Sequence, residues 1–178
     1  MRLFIAINFD NQTKQKMVAV QDHIRYIGQG NFTRPENIHL TLAFLGEIEP
    51  NRIATITEAM EQTSIHPLTL TFDHIGCFKR SGGDIFWLGI SNNKALLSMQ
   101  KELCNHLSIA DFTLENRPFS PHITLIRQAR LCHQLNQKKL LPIPFSTYTN
   151  RISLMLSERI NGKLRYTEIY ATLPAQTE

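Results

Sequence analysis

Two short runs of this chain carry the residue types that phosphate chemistry needs, and they are the same run twice. His39-Leu-Thr-Leu42 reappears as His122-Ile-Thr-Leu125, and the match extends upstream without gaps to Arg34-Pro35 and Arg117-Pro118. Given the chain's own His, Thr and Leu content, two such runs arise by chance roughly once in several hundred. Residues i and i+2 of a strand point to one face. His39 and Thr41 therefore share a face, as do His122 and Thr124, while Leu40, Leu42, Ile123 and Leu125 point into a core. Imidazole titrates near ~6.5, so one neutral and one protonated ring can coexist close to neutrality and move protons in opposite directions. Such acid–base assistance is typically worth about 10²–10⁴ in rate. The threonine hydroxyls can donate to non-bridging phosphate oxygens, where charge gathers in the transition state. No metal or other cofactor is required.

The elements that must hold these strands repeat as well. Arg2–Phe9 is an apolar strand, and Asn11 is placed to cap a helix bearing Met17, Val18, Val20, Ile24 and Ile27. Gly28 and Gly30 end that helix, and a loop leads into the strand Ile38–Leu45. After a helix over about Pro50–Gln62 and an alternating strand Leu68–Phe78, the order begins again. Ile85–Ile90 is a strand, Asn92 or Asn93 opens a helix carrying Leu96, Leu97, Leu103 and Leu107, and Ile123–Ile126 is the second histidine strand. Phe4 precedes His39 by 35 residues and Phe86 precedes His122 by 36. The arrangement implies an internal duplication, two pseudo-symmetric lobes facing each other across a groove within a single domain spanning 1–178. Strands near Arg151–Ser157 and Leu164–Thr172 flank Asn161-Gly162, a turn pair that permits positive φ.

Composition sets broad limits. With 42% hydrophobic and 19% charged residues the chain has ordinary globular usage, which excludes disorder. A net charge of +4 suits an anionic ligand without specifying one. Three cysteines without a Cys-x-x-Cys give neither a zinc knuckle nor a disulfide framework and suit a reduced, cytoplasmic setting. The apolar run after Met1 is too short for a signal core or a membrane span.

With those residues in view, the chain resembles the two-histidine phosphoesterase superfamily, and within it the bacterial RNA 2′,3′-cyclic phosphodiesterases formerly named 2′-5′ RNA ligases. The matching stretches are Arg2-Leu-Phe-Ile-Ala-Ile7, His39-Leu-Thr-Leu-Ala-Phe-Leu-Gly46, Arg117-Pro-Phe-Ser-Pro-His-Ile-Thr-Leu-Ile-Arg127 and Ser157 through Tyr166. The resemblance implies a bilobal α+β fold, two antiparallel sheets lining a central cleft with helices outside. It implies hydrolysis of RNA-type 2′,3′-cyclic phosphate ends to 2′-phosphomonoesters, with reverse 2′-5′ ligation permitted by the same groups. Partners would be RNA ends or nucleotides bearing the cyclic phosphate, tRNA halves among them; no membrane is expected, and a monomer is the default. By resemblance His39 donates a proton and His122 accepts one, although near-symmetric groups can exchange these roles.

Other residues admit plainer roles. Arg127 resembles the family's trailing arginine and is a candidate phosphate ligand beside Thr41 and Thr124. Strict alternation gives it the parity of Ile123 and Leu125, so it reaches the groove only through a bulge. Phe44 and Phe119 are candidates to stack on a base, but Phe44 has core parity, and Trp87 lies in an apolar strand and reads as core. Arg34 and Arg117 read as structural. His23, His66, His74, His106 and His133 share no frame and read as surface or satisfied side chains. Rival functions are a metallophosphoesterase, disfavoured because no carboxylate joins either motif, and a non-catalytic RNA or nucleotide-binding module, whose mark would be loss of one histidine.

Overall fold

The computed structural model describes residues 1–132 and 136–172, so His133 lies outside the described residues. The strands are β1 (Arg2–Asn8), β2 (Gly28–Phe32), β3 (His39–Glu47), β4 (Leu68–Phe78), β5 (Asp84–Ile90), β6 (His122–Leu131), β7 (Phe145–Thr149), β8 (Ser153–Ile160) and β9 (Lys163–Ala171). The helices are α1 (Asn11–Arg25), α2 (Ile53–Glu61), α3 (Lys94–Ile109) and the single turn α4 (Gln137–Leu140). All strand pairings are antiparallel, in one four-stranded sheet, β3-β1-β8-β9, and one five-stranded sheet, β2-β6-β5-β4-β7. This is the expected α+β class with two antiparallel sheets.

The sequence signals map onto these elements with small offsets. β1 is central to its sheet and buried on both faces, which explains its unbroken apolar run. Asp10, not Asn11, caps α1: its carboxylate accepts from the Thr13 amide at 2.6 Å. Asn93 caps α3 by accepting from the Leu96 amide at 2.9 Å. Asn161 and Gly162 take φ of 50° and 75° in the β8–β9 turn. Two strands are absent from the sequence reading. β2, Gly-Gln-Gly-Asn-Phe, has poor strand propensity and forms because β6 of the other sheet offers an edge to pair with. β7 extends the same sheet beyond β4.

Leaving β2 aside, the strand orders β3-β1-β8-β9 and β6-β5-β4-β7 correspond place by place. The helices cross over: α1, which follows β1, packs against β2 and β6, and α3, which follows β5, packs against β3. β3 and β6 adjoin at the seam between the sheets, so the two histidine strands are brought side by side. Cys77, Cys104 and Cys132 are free. Among the described residues, no helix is long and apolar enough to cross a membrane.

Candidate active site

The two histidines are held in the same way. His39 Nδ1 lies 2.7 Å from the Asn37 carbonyl and His122 Nδ1 lies 2.7 Å from the Ser120 carbonyl. A carbonyl oxygen only accepts, so each Nδ1 carries the proton and each Nε2 is left for chemistry. His39 Nε2 is 2.9 Å from its own Thr41 hydroxyl. Each ring is braced by two aromatic side chains. Phe4 and Tyr166 lie 4.8 and 5.1 Å from His39, and Phe78 and Trp87 lie 5.2 and 5.7 Å from His122. Trp87 is therefore not core: it faces His122 and lies flat over Gly76 on the neighbouring strand, where any β-carbon would collide with the indole.

Strict alternation fails twice in each strand, and the first failure falls at an equivalent place in both. In β3 the register against β1 slips between Thr41 and Ala43, and in β6 the register against β5 slips between Thr124 and Ile126. The extra residues are Leu42 and Leu125, each three positions after its histidine. Leu42 and Ala43 are consecutively buried, as are Leu125 and Ile126, and the next residue emerges on the histidine face. That residue is Phe44 in one copy and Arg127 in the other. Phe44, read as core from its parity, is 36% exposed in the cleft beneath the Arg2 guanidinium. Arg127 reaches the cleft by the bulge it needed.

His39, Thr41, His122, Thr124 and Arg127 all line one cleft of about 560 Å³. Among the described residues four arginines, Arg2, Arg117, Arg127 and Arg159, border it against one carboxylate, Glu115, so the cavity favours an anion. Arg117, read as structural, both pairs with Glu115 and borders the cleft. Arg34 pairs with Glu36 and does not reach it. Burial lowers the His39 pKa to about 4, and the positive charge of Arg127 adds to the effect. Burial also lowers the pKa of His122, with Arg117 and Arg127 pushing the same way. Both rings are thus neutral near pH 7 until a negative charge enters.

These shifts have a consequence for stability. Below about pH 6.5 an unfolded chain protonates His39 while the folded chain does not, so His39 costs stability progressively as pH drops from about 6.5 to about 4, where its own contribution levels. A His39→Asn variant lacks this linkage at that site. Its melting temperature should gain on that of the parent chain over that interval; melting curves that stay parallel from pH 7 to 4.5 would show that burial of His39 is not the cause.

A family model described as the 2′-5′ RNA ligase superfamily matches residues 17–161. The chain belongs to that superfamily. It is 35% identical over 131 residues to an RNA 2′,3′-cyclic phosphodiesterase of Thermotoga maritima, covering 71% of this chain and 70% of that one. A protein of the same name from Escherichia coli is 28% identical and covers 94% of this chain and 93% of its own. Among solved structures, E. coli LigT complexed with 3′-AMP superposes with a TM-score of 0.82 at 26% identity, covering 98% of each chain.

For a 2′-5′ RNA ligase superfamily member, two further features of the cleft are informative. Asn37 escaped the sequence reading. It is buried, its side chain bonds to the Leu164 carbonyl and the Tyr166 amide of β9, and its own carbonyl orients His39. The repeat gave no signal for it, since the equivalent carbonyl in the other copy belongs to Ser120 and any residue type supplies one. Beside His122 the cleft opens into a second recess of about 370 Å³, bordered by the rings of Phe44, Phe78 and Phe119. Both candidate base-stacking residues meet there. Among the described residues no group of three His, Cys, Asp or Glu side chains is arranged to hold a metal ion.

Proposed function

We propose that this chain hydrolyses RNA-type 2′,3′-cyclic phosphate ends to 2′-phosphomonoesters, within a single domain of two pseudo-symmetric halves. The observation that carries this is the pair of Nδ1-anchored imidazoles, each with a threonine two residues on, in one arginine-lined cleft. A cyclic phosphate monoanion fits the positive cavity, and the aromatic recess beside His122 supports a nucleotide over a bare phosphate. RNA ends are the proposed partners, tRNA halves among them, met by a monomeric protein in the cytoplasm.

In this reaction the water oxygen attacks phosphorus and the bond from phosphorus to O3′ breaks. Nε2 of His122 takes the proton from water, and Nε2 of His39 delivers one to the departing O3′. Arg127, Thr41 and Thr124 meet the non-bridging oxygens as negative charge builds there. With the site empty, the Thr41 hydroxyl donates to the neutral His39 Nε2. An arriving phosphate takes over that hydroxyl hydrogen, and its negative charge favours protonation of the ring. No step requires a metal. With a 5′-hydroxyl in place of water the same transfers join two ends through a 2′-5′ linkage, but the abundance of water favours hydrolysis.

The deciding experiment incubates the protein with a 2′,3′-cyclic-phosphate oligonucleotide in chelator and identifies the product. A 2′-phosphate is expected. A 3′-phosphate, or activity that returns only with added metal, would refute the scheme. The pH profile supplies a second check. The competent free enzyme has one protonated ring, and both pKa values are depressed, so kcat/KM should decline on the alkaline side from below pH 6.5. Bound phosphate raises the acid's pKa, so the kcat optimum should lie at higher pH than that of kcat/KM. Coincident optima would contradict the account.

A further inference from the structure

At the Leu42 and Leu125 bulges the backbone carbonyls accept side-chain donors from the helices, and the same kind of donor is found at both, although the Leu125 carbonyl also accepts from the Thr33 amide at 2.9 Å. Gln21, on α1, donates from Nε2 to the Leu125 carbonyl at 2.8 Å and to the Thr33 carbonyl at 2.8 Å. Gln100, on α3, donates from Nε2 to the Leu42 carbonyl at 3.1 Å. Each helix crosses to the sheet that does not contain its preceding strand, and each brings its glutamine to the bulge three residues after a histidine. Because a carbonyl only accepts, both amides are fixed in orientation.

Gln21 is also held at an apparent loss. It is fully buried, and its Oε1 has no partner among the described residues. A buried acceptor without a donor is destabilising, and an apolar side chain of the same shape would remove that cost. What an apolar side chain could not do is hold the Leu125 carbonyl from the helix side. The bulge is what turns Arg127 from the core face to the cleft face, and the equivalent bulge turns Phe44.

We propose that Gln21 and Gln100 are paired positioning residues for the reaction, each pinning a bulge and so setting where Arg127 and Phe44 project into the cleft. This rests on reading the cleft as a phosphodiester-hydrolysing site. The two copies differ in what they aim. Gln21 governs a guanidinium that meets the transition state, so its loss acts on kcat. Gln100 governs an aromatic ring in the recess, so its loss acts on KM.

The test is a double-mutant cycle with Gln21→Met, Arg127→Met and the pair, measured well below every melting temperature. Gln21→Met should lower kcat by about 10–10², the scale of a small misplacement of a catalytic group. In the Arg127→Met background the same change should alter kcat less than about two-fold, because the group it aims is gone. Gln100→Met should raise KM several-fold with kcat nearly unchanged. Additive losses in the cycle, or a Gln21→Met variant with lowered melting temperature and normal kcat, would overturn the proposal.

Affinity for inorganic phosphate, read by calorimetry in the same four proteins, needs no turnover. Non-additive weakening supports the clamp even if the parent chain proves inactive on cyclic phosphates, an outcome that would refute the proposed function alone. Additive weakening overturns the clamp whatever the activity. If Gln21→Met does not fold, Gln100→Met decides: an unchanged KM refutes it.

Discussion

His122→Ala is expected to lower kcat by about 10²–10⁴ with the fold intact. Among the described residues the ring makes one hydrogen bond, from Nδ1 to the Ser120 carbonyl, at the open edge of the cleft, so truncation leaves space continuous with solvent rather than a sealed cavity. The same loss is expected for His39→Asn, which keeps a polar side chain of moderate size between Phe4 and Tyr166. The kinetics should identify the roles. If His122 is the base, its replacement removes the acid limb of the pH profile, and replacement of His39 removes the alkaline limb. The two substitutions combined should cost little more than either alone, because a proton relay missing one member is already disabled. A single variant within ten-fold of the parent rate would withdraw that histidine from the mechanism.

Arg127→Met should lower kcat by about 10²–10³, the usual cost of removing one preorganised donor to a developing oxyanion. A second, opposite effect marks the cause. Arg127 depresses the pKa of both histidines by its charge. Its removal should therefore shift the alkaline limb of kcat/KM to higher pH while the rate falls. A merely structural arginine would lower the rate without moving the limb. Arg127→Lys restores charge without the planar fork and should recover the pH profile better than the rate. A profile unchanged in Arg127→Met would place the guanidinium outside the electrostatics of the site.

The sequence carried a large part of this. His39 with Thr41 and His122 with Thr124 were legible because strand geometry puts i and i+2 together, and because a repeat shows the same pair twice. The two-sheet α+β class and the family followed from the same stretches. Turn and cap chemistry placed the β8–β9 hairpin and α3, since Asn-Gly and an Asn before an apolar helix act through contacts two or three residues away.

Phe44, Arg127 and Trp87 were different. Parity assigned Phe44 to the core and made Arg127 conditional, and composition assigned Trp87 to the core; all three face the histidines. β2 was invisible because its Gly-rich sequence forms a strand only when β6 presents an edge. A bulge or a borrowed edge is a relation between strands that are far apart in the chain, fixed by cross-strand register and by side chains such as Gln21 and Gln100 arriving from the opposite half. Local periodicity determines which residues alternate within a strand. Where that alternation breaks, and hence which side chain joins the site, is decided only when the two halves pack.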